Sequence, residues 1–212
     1  MSFSADLRRA ADPVWEAQHA HPFVRGIGDG TVEVERFKRW LRQDYLFLVE
    51  YCRVFALAAA RSPDLATLQR FAELLQATAV TEMDLHRSYA AGFGIAPEEL
   101  EVEAMATVTR GYTDFLLRTA AIGDFAELAA ALLPCMWGYS EIGQRLAERG
   151  HPADERCAAW IDAYADPAFA ELAAWCRDLV DRLAGAVGPA VRDRMREAFL
   201  VSSRYELAFW DV

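Results

Sequence analysis

The sequence lacks any sustained apolar–polar alternation of period two, the pattern a half-buried strand requires, anywhere in its 212 residues. No apolar run approaches the ~18 residues of a membrane-spanning helix, which predicts no membrane association. Positive charge is scarce: 22 Lys and Arg stand against 32 Asp and Glu, a formal net charge of −10. Such a surface repels nucleic-acid phosphates and anionic lipid alike. No basic stripe offsets it, so nucleic acid is not an expected partner. Cysteine is sparse as well. Cys52, Cys135, Cys157 and Cys176 form no C-x-x-C pair and no metal-ligand spacing. The opening residues, Met1 to Asp6, turn acidic and carry no apolar leader core. A reduced, cytoplasmic setting with free thiols is therefore expected.

What is present is helical. Hydrophobic residues make up 54% of the chain, enough to exclude disorder and to bury a sizeable core. Almost every long segment carries the 3.6-residue period. Asp124, Asp166 and Ser62 stand where N-caps belong, with Pro63 and Pro167 at first-turn positions. The glycines of 26–30, 92–94, 150 and 185–188 read as breaks. The pattern predicts helices near 5–20, 33–61, 64–91, 102–121, 124–148, 153–165, 167–185 and 189–209. The connections are short and no linker or repeat interrupts them. The expectation is an all-α, single-domain helical bundle over residues 1–212.

Function shows in the polar residues that fall on buried stripes. The second helix buries Phe37, Leu41, Asp44, Leu48, Tyr51 and Phe55, so Asp44 points inward beside Phe47 and Tyr51. The third runs Leu68, Phe71, Leu75, Thr78, Glu82, Leu85, Tyr89 and Phe93, which turns Glu82 inward. The fifth runs Phe125, Leu128, Leu132, Cys135, Tyr139, Ile142 and Leu146, and the last Met195, Phe199, Ser202, Glu206 and Phe209. Burying one unpaired carboxylate costs several kcal/mol in order of magnitude. One inward acid can be a structural buttress. Three on separate helices, with tyrosines interleaved, predict a polar cavity in a bundle core. Cys135 differs from an ordinary buried thiol in two ways. Pro134 precedes it inside a helix, removing a backbone donor to the carbonyl of Ala130, and Tyr139 follows one turn later.

These residues also occur in a familiar order. His21-Pro22-Phe23-Val24, Asp29-Gly30-Thr31 and Gln43-Asp44-Tyr45 are followed by Glu82 with His86, then Tyr112. The run Leu132-Leu133-Pro134-Cys135-Met136-Trp137-Gly138-Tyr139 comes next, then Trp160 with Tyr164, and finally Tyr205-Glu206 with Phe209-Trp210. From Trp15 to Trp210 the chain resembles the TenA family, or thiaminase II (aminopyrimidine aminohydrolase), in its cysteine-containing branch. The resemblance implies a haem-oxygenase-like all-α fold without haem, metal or other cofactor, a small-molecule pyrimidine substrate, and a homotetramer. It implies hydrolysis of thiamin or its aminopyrimidine derivatives to hydroxymethylpyrimidine, in thiamin salvage. Carried over by motif, Asp44 grips the ring amino group, Cys135 attacks the ring and Glu206 moves the proton. Phe47, Tyr112, Tyr139, Tyr164 and Phe209 line the pocket, to which the inward stripes add Tyr51 and Glu82. The segment Met105 to Arg110 lacks the family's proline-rich lead-in to Tyr112, which implies a different pocket entrance.

Two rival readings stay open on sequence alone. The same pocket would serve a protein that only binds a pyrimidine or acts as a regulatory partner. A metal- or haem-dependent oxygenase on the same fold is the other. Glu16 to His19 and Glu148 to His151 are E-x-x-H patterns, but the second crosses Gly150 at a helix end. Glu82 and His86, one turn apart, read as a hydrogen-bonded pair rather than metal ligands. The nucleophile assignment has a direct check. Cys135→Ser should keep the fold and lose aminopyrimidine hydrolysis by orders of magnitude, because an alcohol is far less ionised than a thiol. Cys52→Ser and Cys176→Ser should leave steady-state hydrolysis largely unchanged.

Overall fold

A computed structural model of the chain describes residues 2–212. Among the described residues there is no β-strand, and the helices are those of an all-α protein. They form two compact units. One joins the residues up to Glu33 with Ala126–Asp211; the other comprises Val34–Phe125 with Val212.

The first unit contains α1 (Phe3–Ala10), α2 (Asp12–Ala20), α3 (Pro22–Asp29), α9 (Phe125–Ala147), α10 (Glu155–Ala165), α11 (Pro167–Ala186) and α12 (Pro189–Phe209). The expected helix over 5–20 is broken at Ala11, because Pro13 cannot donate to a preceding turn and opens a new helix instead. The glycine-rich stretch was expected to be a break, yet Gly26 and Gly28 lie inside α3. Only Gly30 ends it, in the left-handed region at φ 68°. Asp166 caps α11 as expected, accepting from the amide of Ala168 at 2.7 Å, with Pro167 in its first turn.

Aromatic rings hold this unit together. Trp15 packs edge-on to Trp137 with centroids 5.3 Å apart and stacks on Phe199 at 6.0 Å. Tyr139 meets Trp210 at 5.1 Å. Two of the buried polar edges find partners: Trp15 Nε1 donates to Ser203 Oγ at 3.0 Å and Trp210 Nε1 to Gln18 Oε1 at 3.1 Å. Each such ring contributes about 1.5–3 kcal/mol of burial, and the paired N–H groups keep that gain from being spent on desolvation.

The second unit contains α4 (Val34–Arg61), α5 (Leu65–Gln76), a π-helical turn (Ala77–Glu82), α6 (Met83–Gly92), α7 (Pro97–Glu101) and α8 (Thr107–Ile122). The long α4 is its spine and packs against α5, α6, α7 and α8. Its inward stripe is the expected one, with Phe37, Leu41, Asp44, Leu48, Tyr51 and Phe55 all buried. Asp64, not Ser62, caps α5, accepting from the amide of Thr67 at 2.7 Å. The Ser62 hydroxyl instead turns back to the carbonyl of Ala58 at 2.9 Å. The expected helix over 102–121 begins only at Thr107, and the residues ahead of it form the short α7 and an irregular strap.

The π-turn corrects the third stripe. An uninterrupted α-helix over 64–91 would face Leu85 inward, but after the π-turn it is 41% exposed; Leu68, also expected inward, is 40% exposed ahead of the turn, where Thr67 and Phe71 take the buried face. The buried face is Thr67, Phe71, Leu74 and Thr78, then Met83, His86 and Ala90. A π-turn inserts about one extra residue into the helical register, and the buried face steps on by that one residue after Thr78.

One close approach in the first unit gives a stability test. A Cβ built on Gly143 of α9 would lie 2.5 Å from the backbone carbon of Tyr164 and 2.7 Å from the amide nitrogen of Ala165 in α10. Backbone cannot step aside as a side-chain tip can. Gly143→Ala should therefore cost about 2–3 kcal/mol, read as a Tm lowered by about 5–10 °C in a thermal melt.

Candidate active site

In the second unit the expected site residues Asp44, Phe47, Tyr51 and Tyr112 are all buried. Phe47 lies 5.1 Å from Tyr51 and 5.0 Å from Tyr112, ring centroid to centroid, so α4 and α8 together build an aromatic wall. Asp44 lies one turn before Phe47's neighbour Leu48 on α4, and its Oδ2 is 2.7 Å from His86 Nε2. His86 was not among the expected site residues. Its other nitrogen, Nδ1, is 3.0 Å from the backbone carbonyl of Glu82 in the π-turn. The expected pairing of His86 with Glu82 is therefore through the Glu82 backbone, while the imidazole reaches across to α4.

The two contacts fix the protons. A carbonyl only accepts, so Nδ1 carries a hydrogen. Nε2 can then meet the carboxylate only by carrying a second hydrogen, as imidazolium, or by accepting one from a neutral Asp44. Burial works to lower the His86 pKa, but the hydrogen bond and charge of Asp44, joined by Glu82, outweigh it and raise it. The arrangement is an imidazolium against a carboxylate.

Glu82 retains some exposed surface as a residue, yet its carboxyl group is enclosed. Burial first, and then the charge of Asp44, push it up to about 7, against the charge of His86 and a hydrogen bond from Thr78. The imidazolium cancels one carboxylate, and a Glu82 carboxyl about half protonated at pH 7 adds only part of a negative charge. That balance is how three ionisable groups share one buried place.

The strap ahead of α8 is tied to the same stretch of α4. Gln43, buried and adjacent to Asp44, accepts from the Ala106 amide and the Thr109 hydroxyl, both at 2.8 Å, and donates to the Ala104 carbonyl at 3.0 Å. Arg42 pairs with Glu99 at 3.1 Å and Glu103 at 3.0 Å. Ala106 at the N-cap of α8 has no capping side chain of its own, and the Gln43 amide satisfies that end instead. Three turns of chemistry thus converge on residues 42–44, and α8 delivers Tyr112 from a fixed start.

In the first unit the expected site residues are Cys135, Tyr139, Tyr164, Glu206 and Phe209. Glu206 and Phe209 are buried, at 3% and 2% exposure, as is Tyr139. Tyr139 lies 4.9 Å from Tyr164, centroid to centroid. Cys135 is half-buried and its thiol is reduced, whereas Cys157 and Cys176 are buried. Burial and the nearby Asp154 push the Cys157 thiol up to about 11, which marks it as inert. Pro134 lies inside α9 as expected. One turn before Glu206, Ser202 Oγ donates to the carbonyl of Ala131 at 2.7 Å. Ala131 is in turn one helical turn before Cys135, so the helices carrying thiol and acid are pinned together just ahead of both groups.

The first E-x-x-H pattern does gather acids. Ligand atoms of Glu16, His19 and Glu141 lie within 4.8 Å of one another. Their charges are already matched, since Arg8 and Arg145 each approach Glu141 at 2.8 Å and Arg145 approaches Glu16 at 3.1 Å. Burial works to raise Glu141, but hydrogen bonds from His19 and Arg8 and the two guanidinium charges hold it down at about 2. His151 of the second pattern pairs with Asp162 at 2.7 Å.

Comparison with known proteins supplies the context for these groups. The sequence profile of the TENA/THI-4/PQQC family matches residues 8–212. The chain belongs to the TENA/THI-4/PQQC family. It is 43% identical to an aminopyrimidine aminohydrolase from Halalkalibacterium halodurans, over 100% of this chain and 95% of that protein. Its fold is similar to that of a TenA homologue from P. horikoshii OT3, with a TM-score of 0.91 at 28% identity, covering 100% of this chain and 97% of the other. A domain with a haem-oxygenase-like fold from Shewanella denitrificans superposes with a TM-score of 0.75 at 14% identity, over 98% and 90% of the two chains. The family's all-α, haem-oxygenase-like architecture is thus that of this chain. Among the described residues no helix is long and apolar enough to cross a membrane.

The acid cluster makes a pH prediction. Glu82 has a pKa raised to about 7 in the fold against 4.5 unfolded. Between those values the folded state holds a proton that the unfolded state has lost, so this group makes stability fall as pH rises through that window. Glu82→Gln removes the effect. In urea denaturation, the unfolding free energy of the variant relative to the parent should rise from pH 5 to pH 8. An unchanged difference would show that the carboxyl is not desolvated.

Proposed function

We propose that this TENA/THI-4/PQQC family member is an aminopyrimidine aminohydrolase that releases hydroxymethylpyrimidine by cysteine nucleophilic catalysis, in thiamin salvage. The observation that carries the reading is the buried Asp44 carboxylate. One of its oxygens is held by His86, and an aromatic wall of Phe47, Tyr51 and Tyr112 begins one turn away. An aminopyrimidine matches it: a flat ring to stack and an exocyclic amino group to donate to a carboxylate. The full-length likeness to an enzyme of that name supports the same conclusion. In this reading residues 1–212 act as one TenA-like domain.

The chemistry is covalent catalysis with proton transfer. The Cys135 thiolate adds to the pyrimidine ring as a ring nitrogen takes up a proton. The electron pair so released expels the amine from the ring methylene, with a proton supplied to the leaving nitrogen. Water adds to that methylene and gives up a proton, and the thiolate leaves as the ring re-forms. The net change for an aminomethylpyrimidine is one C–N bond exchanged for one C–O bond, water consumed and ammonia released. Glu206 carries the protons and Tyr139, Tyr164 and Phe209 offer ring surface to the substrate, while in the second unit Glu82 lies behind Asp44. The enzyme works in the cytoplasm as a homotetramer. Leu65 and Leu68, 68% and 40% exposed on α5, supply apolar surface for such an assembly.

The test is a product assay with aminomethylpyrimidine and thiamin side by side, following ammonia and hydroxymethylpyrimidine. Hydrolysis of neither would overturn the enzymatic reading and leave a binding protein. The acids should separate kinetically. Glu206→Gln should lower kcat by about 10²–10⁴-fold with KM little changed. Asp44→Asn should raise KM and lower kcat together, since its contact is made in both ground and transition states. Two acids of purely structural role would lower Tm without that separation.

A further inference from the structure

We infer that His86 is a positioning residue for Asp44: it takes up one carboxylate oxygen on a tether to the π-turn, so that the other oxygen is presented to the substrate's amino group. The inference rests on the proposed recognition of an aminopyrimidine by Asp44 and adds the group that makes that recognition stereospecific.

A carboxylate on a helix can rotate about two side-chain bonds and present either oxygen. Here that freedom is removed from outside α4. The His86 Nε2 to Asp44 Oδ2 contact is 2.7 Å, short and between buried partners, each 4% exposed. An imidazole making only that contact could still swing. The second contact, Nδ1 to the carbonyl of Glu82 at 3.0 Å, fixes the ring plane. A helical carbonyl is ordinarily committed to an amide further along its own helix. A carbonyl oxygen has two lone pairs, and that of Glu82, at the end of the π-turn, accepts from the Nδ1–H of the side chain four residues on. The π-turn thus does two things: it steps the buried face so that His86 rather than Leu85 looks toward α4, and it supplies the acceptor that orients the ring. This resembles in form the outer hydrogen bond that orients a ligating or catalytic histidine, with the roles exchanged. Trp40 adds a wall, its ring 6.4 Å from the imidazole, centroid to centroid.

The raised His86 pKa fits the same geometry, because a charged donor grips a carboxylate about twice as strongly as a neutral one. The imidazolium also compensates the Asp44 charge before substrate arrives, so a neutral amino group can bind there without leaving a bare buried anion in the empty site.

Two polar substitutions divide the contacts. The amide nitrogen of asparagine stands near the place of Nδ1 and keeps the bond to Glu82 while losing Asp44. The amide nitrogen of glutamine reaches the place of Nε2 and keeps a donor on Asp44. Steady-state hydrolysis of aminomethylpyrimidine, with Tm recorded for each protein, should show His86→Asn with KM raised about 10- to 100-fold, the loss of one hydrogen bond to a charged group. His86→Gln should lie within about threefold of the parent KM, a rescue expected of a surviving but neutral donor. A purely structural histidine would give two variants with equal kinetic defects, or defects that follow Tm; either result overturns the inference. Asp44→Asn serves as the control. If it is impaired while His86→Asn is not, the positioning role alone is wrong. If Asp44→Asn has the parent KM, the recognition reading itself is wrong and the positioning role falls with it.

Discussion

The buried contact between Asp44 and His86 constrains everything around it in the second unit. An isolated carboxylate in that position would cost several kcal/mol, and removing one partner of a buried pair costs about 3–5 kcal/mol. The surrounding structure is arranged to meet that demand. α4 carries the acid on its inward stripe among Phe37, Leu41, Leu48 and Phe55. The helix opposite breaks its own register at Ala77–Glu82 to bring an imidazole to it. Glu82 sits close enough to feel both charges and responds by holding its proton near neutral pH. A π-turn is a poorly bonded piece of helix, and its presence beside a buried ion pair is what a site selected for geometry rather than for stability would contain.

The first unit solves a different problem, that of holding a thiol half open to reagents inside an aromatic core. α9 is apolar on nearly all sides, and Pro134 weakens its backbone just before Cys135. A helix loosened there needs an external support. Ser202 supplies one, its hydroxyl reaching the Ala131 carbonyl, while Trp15 and Trp210 lock α2 to α12 through their indole N–H groups. Gly143 lets α10 come within backbone distance and carries Tyr164 against Tyr139. The scaffold is braced where it flanks the thiol, and α9 gives up one backbone donor, at Pro134, where it presents it.

Charge elsewhere is arranged to cancel. Glu16, His19 and Glu141 have the spacing of metal ligands, yet two arginines occupy the same volume and answer the acids directly. A cation there would have to displace guanidinium groups already in contact. This is the difference between a sequence pattern and a site: E-x-x-H specifies one helical face, whereas Arg8 comes from another helix and Arg145 from the same helix as Glu141.

By itself the sequence determined whatever depends on neighbours within a few turns. The all-α class, the inward faces of α4, α9 and α12, the cap at Asp166 and the helical proline before Cys135 all follow from a 3.6-residue period and local backbone rules. The family's motifs were legible for the same reason, being short runs such as Pro134-Cys135 and Tyr205-Glu206. Tertiary structure decided the rest. Nothing local distinguishes the π-turn, whose flanking residues Gln76 and Met83 keep ordinary helical dihedrals. Its extra residue is set by what α4 requires across the interface, so an unbroken period turned Leu85 inward and left His86 unassigned. The strap before α8 is likewise held by Gln43, more than sixty residues upstream of the amide it caps. Periodicity reports which side of a helix is apolar; it carries no information on which distant donor completes a buried acid, because that is fixed only when two helices are in contact.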